Sequence, residues 1–252
     1  MRPDVATIAV GDIHGYLGPL TDLLARLRAE VTEDDTVVFL GDYIDRGPDS
    51  KGCIDAILAF EEEIAGHVVC LRGNHEDWLL RTLGDFCRHS WVTGMDAYDT
   101  IHSYSPEAAH IIRDAHRAAG LSLYMQRVPL PYQVFVDTIP PEHRNFFKNL
   151  RPYHQATDGI CVHGGLDVNV ARLEDQNLQA CLGANDGFPE DYRGVEIVAY
   201  GHFNNAELDH DVWPRPRVIG STIGLDTIAH GVLTAMRLSD RRLFQSTRYN
   251  IS

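Results

Sequence analysis

The chain has 252 residues, 44% of them hydrophobic, and carries a net charge of −14 from 22 basic and 36 acidic side chains. That length fits one large domain, or one domain with an inserted segment, and supplies ample material for a core. The charge argues against broad nucleic-acid binding and against docking on an anionic membrane, because the field of the whole molecule repels phosphate backbones.

Met1-Arg2-Pro3-Asp4 leads straight into Val5–Val10, an apolar run that reads as a central parallel strand closed by Gly11-Asp12 and predicts no signal peptide. Leu17–Leu27 carries Leu20, Leu23, Leu24 and Leu27 at helical spacing. Thr36–Leu40 is the second strand, closed by Gly41-Asp42, and Ser50–Phe60 the second helix, with Ile54, Ile57 and Leu58 on one face. His67–Leu71 is the third strand, and a third helix starts over Glu76–Leu83. This alternation implies a parallel sheet with helices on its faces and a ligand site at the carboxyl ends of its strands.

From about 84 to 158 the pattern becomes a mostly helical insert, with helices over Pro106–Ala119 and Pro141–Leu150. Between them Val128-Pro129-Leu130-Pro131 breaks regular structure and Tyr132–Val136 reads as a strand. The insert is either a cap over the site or scaffold without contact to substrate. After 158 strands dominate: Gly159–Val162 enters His163-Gly164-Gly165, and Val195–Tyr200 enters Gly201-His202. Val218-Ile219, Ile223–Leu225 and Val232–Leu238 follow at short gaps, which suggests an antiparallel-leaning second sheet. No repeat or low-complexity tract interrupts the chain, and no apolar stretch approaches a membrane span. Cys53, Cys70, Cys87, Cys161 and Cys181 are odd in number and form no C-x-x-C pair. They read as small core residues in a reducing, cytoplasmic setting.

The phrases Gly11-Asp12-Ile13-His14-Gly15, Gly41-Asp42-Tyr43-Ile44-Asp45-Arg46-Gly47 and Gly73-Asn74-His75-Glu76 each follow a strand-like run. Asp12 and His14, two apart, would point to one side of extended backbone. Asp42 is a carboxylate able to bridge two cations, Asn74 offers an amide oxygen, and His163 and His202 offer imidazoles. Such a mixed set suits manganese, iron or zinc, where magnesium or calcium favours nearly all oxygen. Taken singly, a Gly-Asp is more often a turn and a Gly-His a strand end. As an ordered set, coincidence is not a serious competitor.

G-D-I-H-G, G-D-Y-I-D-R-G, L-R-G-N-H-E, H-G-G and G-H in this order resemble the phosphoprotein phosphatase family of metallophosphoesterases, which includes serine/threonine protein phosphatases and bacterial diadenosine tetraphosphatases. Trp91, Gly94, Thr100, Ser103 and Tyr104 echo a stretch of the bacterial members. Pro141-Glu142-His143 with Phe146 and Phe147 resembles the helix before their histidine-glycine motif, and Gly224-Leu225-Asp226-Thr227 with Gly231, Leu233 and Thr234 resembles their late segment. The resemblance implies an α/β fold, a four-layer α/β/β/α sandwich spanning 1–252 as one domain.

It further implies two divalent cations, manganese first with iron or zinc also compatible. Asp12 and His14 would hold the first, Asp42 would bridge, and Asn74, His163 and His202 would hold the second. A shared hydroxide would attack phosphorus in line. His75 would protonate the leaving oxygen, held by Asp45, and Arg46 would clamp the phosphate. Arg72 reads more readily as support for its loop. Bacterial members carry a second arginine clamp after H-G-G; here Asn185 stands in its place, and Arg193, Arg215 and Arg217 read as surface charges.

The leading substrate is a phosphate monoester, phosphoserine or phosphothreonine of a protein partner. The alternative is a dinucleoside polyphosphate, and a catalytically silent phosphate-binding scaffold ranks last. His89, His102, His110, His116, His143, His154, His210 and His230 fit no ligand pattern, and Phe86, Tyr98 and Tyr104 read as packing residues.

Overall fold

A computed structural model describes residues 5–203 and 213–251. In the first half β1 (Thr7–Val10), β2 (Thr36–Phe39) and β3 (His67–Cys70) alternate with α1 (Leu17–Arg28), α2 (Ser50–Glu63) and α3 (Asn74–Gly84). The three strands pair in parallel. Alternate residues face opposite sides, as the pleat requires. Ile8, Val10, Val37 and Phe39 pack on the helices, while Ala9 and Val38 face the other way. Leu20, Leu23, Leu24 and Leu27 of α1 are all buried in the helix-side core. Their gross contribution is about 6–12 kcal/mol at 1.5–3 kcal/mol per buried side chain, before conformational entropy is counted.

Six helices separate this unit from the second sheet: α4 (Ser90–Gly94), α5 (Ala97–Tyr104), α6 (Pro106–Ala119), α7 (Ser122–Met125), α8 (Gln133–Val136) and α9 (Pro141–Asn149). α6 begins where the sequence places it, with Pro106 in its first turn and Ser105 accepting the Ala108 amide at 3.1 Å. The strand expected at Tyr132–Val136 is instead the one-turn helix α8. The Val134 amide bonds back to the Pro131 carbonyl, and Tyr132 and Phe135, three apart, bury together. An apolar run of five carries both periods, and this one lacks a neighbouring ladder.

The second sheet contains β4 (Tyr153–Ala156), β5 (Gly159–Val162), β6 (Val198–Tyr200), β7 (Arg217–Ile219) and β8 (Thr222–Gly224), in the order β4-β5-β6-β8-β7. Its centre is parallel, β5 to β6 to β8, with antiparallel strands only at the edges. The antiparallel-leaning expectation therefore fails. Val232–Leu238 also leaves this sheet: β9 (Thr234–Arg237) pairs with β1, and β10 (Arg242–Gln245) follows it, so the first sheet runs β10-β9-β1-β2-β3. The short gap between Val218-Ile219 and Ile223–Leu225 is the hairpin β7/β8, but the link from β8 to β9 crosses between sheets, and β10 is a strand the sequence reading did not include.

The sheets stack through Ala9, Val38, Leu40, Val69 and Leu71 on one side and Cys161, Ala199, Ile223 and Leu225 on the other. Outside the second sheet lie Leu166, Cys181 and Phe188, carried by loops and the short helix α10 (Leu178–Cys181). The α/β/β/α order is as expected, with a thin fourth layer. Among the described residues no helix is long and apolar enough to cross a membrane.

Candidate active site

Six parallel strands end beside one another, three from each sheet. β1 delivers Asp12 and His14, β2 delivers Asp42, β3 delivers Asn74 and His75, β5 delivers His163 and β6 delivers His202. The backbone there is not extended. His14, Asp42, Asp45, Arg46 and His202 have φ of 49°, 53°, 70°, 66° and 62°. Left-handed residues of this kind are uncommon outside glycine and cluster at functional sites. Asp12 and His14 converge through this turn rather than by the alternation of a strand: His14 Nε2 lies 3.9 Å from Asp12 Oδ2 and 3.6 Å from Asp42 Oδ2. Glycine is needed for close approach at two points, since a Cβ on Gly73 would collide with Asp42 Oδ1 and one on Gly201 with Asp12 Oδ1.

Two ligand-capable groups share Asp42: His14, Asp42 and His75, and Asp42, His163 and His202, each with its donor atoms within 4.8 Å of one another. His163 Nε2 stands 3.4 Å from Asp42 Oδ1. Asn74 Oδ1 lies 2.9 Å from His163 Nε2 and 2.8 Å from His202 Nδ1. His163 Nδ1 donates to the Leu40 carbonyl at 3.0 Å and His14 Nδ1 to the Ile44 carbonyl at 3.1 Å. A neutral His163 so oriented turns its Nε2 lone pair on Asn74 Oδ1, acceptor against acceptor. Asp12 Oδ1 is buried with no hydrogen-bond partner. Both features fit divalent cations, which would take up the unmatched lone pairs.

Burial lowers the imidazoles, His14 to about 3 and His202 to about 4, with His163 moved the same way, so they stay neutral and able to ligate. Burial works to raise Asp42, yet the histidines around it, with His75 the charged one, hold it well below the usual carboxylate range. Asp12 is raised by burial and by the charges of Asp226 and Asp42.

His75 behaves differently. Burial would lower it, but the Asp42 charge and its hydrogen bond to Asp45 lift it to about 9. His75 Nδ1 donates to Asp45 Oδ2 at 2.8 Å. The same carboxylate accepts Trp91 Nε1 at 2.9 Å and the Thr100 hydroxyl at 2.6 Å. Arg46, exposed, donates to His14 Nε2 at 2.9 Å, and its second guanidinium nitrogen lies 3.4 Å from His75 Nε2.

All nine residues singled out from the sequence come together. Others escaped it. The Glu76 carboxylate, fully buried, accepts the amides of Asp42, Tyr43, Ile44 and Gly73 at 2.9–3.3 Å and pins two of the loops together. Trp91 and Thr100 were visible as motif letters, but not as the partners of Asp45. Asp226, at the end of β8, is buried with Oδ1 unpartnered; burial and the Asp42 charge raise it to about 6.

Arg72 pairs with Asp77 at 3.6 Å, Arg193 with Asp191 at 3.4 Å and Arg217 with Glu190 at 2.6 Å. Asn185 is a brace, its amide donating to the Gly164 and Ala180 carbonyls at 3.2 and 2.8 Å. Three of the other histidines take ordinary partners: His143 bonds Tyr104 and Asp55, His116 bonds Tyr98, and His89 bonds Tyr132 and the Val128 carbonyl. His210 lies outside the described residues.

Residues 6–231 match the family model for calcineurin-like phosphoesterases. The chain is 34% identical over 120 residues to serine/threonine-protein phosphatase 1 of Salmonella typhimurium, a match covering 48% of this chain and 49% of that one, so it spans about half the relative's length. It is 23% identical over 245 residues to bis(5'-nucleosyl)-tetraphosphatase PrpE of Oceanobacillus iheyensis, covering 92% of this chain and 88% of the relative. A solved structure provisionally assigned as a diadenosine tetraphosphatase shares the fold, with a TM-score of 0.62 and 19% identity over 97% of this chain and 94% of that one.

Proposed function

Because the chain belongs to the calcineurin-like phosphoesterase family, we propose that it is a dinuclear metal-dependent phosphatase acting on phosphate monoesters, phosphoserine and phosphothreonine of proteins above all. The observation that carries this is the pair of ligand groups joined through Asp42. Asp12, His14 and Asp42 would hold one cation, and Asp42, Asn74, His163 and His202 the other. Manganese suits this donor set, as do iron and zinc. Bound there, the cations would polarise phosphate oxygens and lower the pKa of the attacking water.

The chain's own residues do the rest. Arg46 reaches over the imidazoles of His14 and His75, where its planar fork grips two phosphate oxygens. His75, charged at neutral pH, gives its Nε2 proton to the leaving alkoxide while Nδ1 stays fixed on Asp45. Trp91 and Thr100 belong to the 84–158 segment, so that segment orients the acid through Asp45. A single arginine fork suits one phosphate better than the run of charges in a tetraphosphate. Five free cysteines agree with a reducing, cytoplasmic setting.

The second reading, a dinucleoside polyphosphate hydrolase, is favoured by the near full-length similarity to the Oceanobacillus iheyensis relative. The test offers manganese-loaded protein a phosphopeptide, an aryl phosphate and diadenosine tetraphosphate, with His75→Asn as control. Phosphate from the first two alone supports the monoesterase. Nucleotide products from the third favour the alternative, and no release despite bound metal leaves a silent scaffold. His75→Asn should lose about 10²–10⁴-fold in rate while binding metal normally.

A further inference from the structure

The sixth parallel strand, β8, has a counterpart to the ligands delivered by the other five. It pairs in parallel with β6, which ends at His202, and its own end carries Leu225 and Asp226. The Leu225 carbonyl and the Asp226 amide press on Gly11, the residue before Asp12, so closely that a Cβ there would collide with the carbonyl. Asp226 is 2% exposed and Asp12 fully buried. Each keeps one carboxylate oxygen, Oδ1, without any partner. The Ile228 backbone amide favours the ionised form of the Asp226 carboxyl. A buried carboxylate oxygen left bare costs several kcal/mol unless a cation or its water meets it.

After burial itself, Asp226 is the largest influence on the Asp12 carboxyl, ahead of Asp42. We propose that Asp226 is a positioning residue for the cation held by Asp12 and His14: its charge, at the end of β8 where the backbone presses on Gly11, tightens binding at that position and leaves the Asn74, His163 and His202 position unchanged. Groups that support metal ligands in this way are worth about 10–100-fold in metal affinity. The inference rests on the two-cation reading above.

Metal-free full-length protein is titrated with manganese, followed by calorimetry and by electron paramagnetic resonance. Wild type should bind two ions and give the spectrum of an exchange-coupled pair. Asp226→Asn keeps the shape of the side chain and removes the charge. It should weaken one site about 10–100-fold, giving a mononuclear spectrum at concentrations that yield the pair in wild type. Asp226→Glu should restore the pair. Thr227→Val is the structural control: it removes hydroxyl contacts to the Val232 carbonyl and Thr234, and should lower the melting temperature with both affinities intact. A coupled pair at wild-type concentrations in Asp226→Asn overturns the proposal, as does equal weakening of both sites. Failure of both Asp226→Asn and Asp226→Ser to fold would make Asp226 a structural cap and overturn it too. Fewer than two ions bound to wild type would instead sink the two-cation reading itself.

Discussion

Asp45→Asn separates the charge of Asp45 from its shape. The carboxylate receives His75 Nδ1, Trp91 Nε1 and the Thr100 hydroxyl. An asparagine can place its oxygen toward His75 and Trp91 and donate its amide to the Thr100 oxygen, so the packing survives. What disappears is the counter-charge to the imidazolium. A hydrogen bond between charged groups contributes about 1.5–3 kcal/mol against about 1 for a neutral one. The difference, about 0.5–2 kcal/mol, is roughly one pKa unit at 1.36 kcal/mol per unit.

His75 is raised to about 9 in the wild type, so the acid is present below that value and is lost as pH rises through it. Asp45→Asn should bring that loss about one unit lower. The stability that the pair contributes is fully present below the ordinary histidine pKa of about 6.5 and fades toward 9. The variant should therefore melt about 1–8 °C lower at pH 6 and progressively closer to wild type above pH 9. The assay is kcat against pH from about 5 to 10 on an aryl phosphate with saturating manganese, beside melting curves at each pH. Trp91→Phe is the contrast: it takes a donor from the same carboxylate and leaves the charge freer for His75. Its alkaline limb should stay or move upward. An alkaline limb unmoved in Asp45→Asn, or moved downward in Trp91→Phe, would refute the role given to His75.

Glu76→Gln should set an amide NH₂ against the Asp42 and Gly73 amides; two buried donors left bare at about 1–3 kcal/mol each predict a melting temperature lower by about 4–24 °C, read by circular dichroism. Asn185→Ala should lose about 1–3 kcal/mol in denaturant unfolding, from its bonds to Gly164 and Ala180. Asp42→Asn should weaken both manganese sites, by more than the roughly 100-fold reached by groups that only support a ligand; equilibrium dialysis showing one site intact would contradict the shared carboxylate.

The candidate ligand set was legible because each member abuts a glycine at the end of an apolar run, a pattern that composition and spacing expose. The parallel first sheet was legible for the same reason, since hydrophobic alternation and leucine spacing mark β1 to α3 without ambiguity. Periodicity says which face of a strand is buried and not what buries it, so Val232–Leu238 could be read as a strand but not assigned to the sheet of β1. Asp45 and its partners Trp91 and Thr100 are 46 and 55 residues apart; nothing local links them. Asp226 stood in a recognisable segment, yet a lone aspartate after a strand is indistinguishable in sequence from a turn. Glu76 looks like an ordinary first-turn acid of a helix until the loops it ties are seen around it.

The left-handed backbone was the least visible feature, and it explains why the loops need so much bracing. His14, Asp42, Asp45, Arg46 and His202 lie outside the regions ordinary residues prefer, at about 1–3 kcal/mol each. Together that approaches the net stability of a whole domain, about 5–15 kcal/mol. The offset comes from bonds that only this conformation allows. The Ile13 and His14 amides both reach the Asp42 carbonyl at 3.0 and 2.8 Å, Gly15 reaches Tyr43 at 2.8 Å, and Gly47 returns to the His14 carbonyl at 2.8 Å. Glu76 adds four more. These bonds lock the first two loops to each other before any ion arrives. What they leave unmatched is one bare carboxylate oxygen on each of Asp12 and Asp226. The same arrangement that makes the site rigid leaves those acceptors without donors, so cation binding should stabilise the fold as well as complete the site.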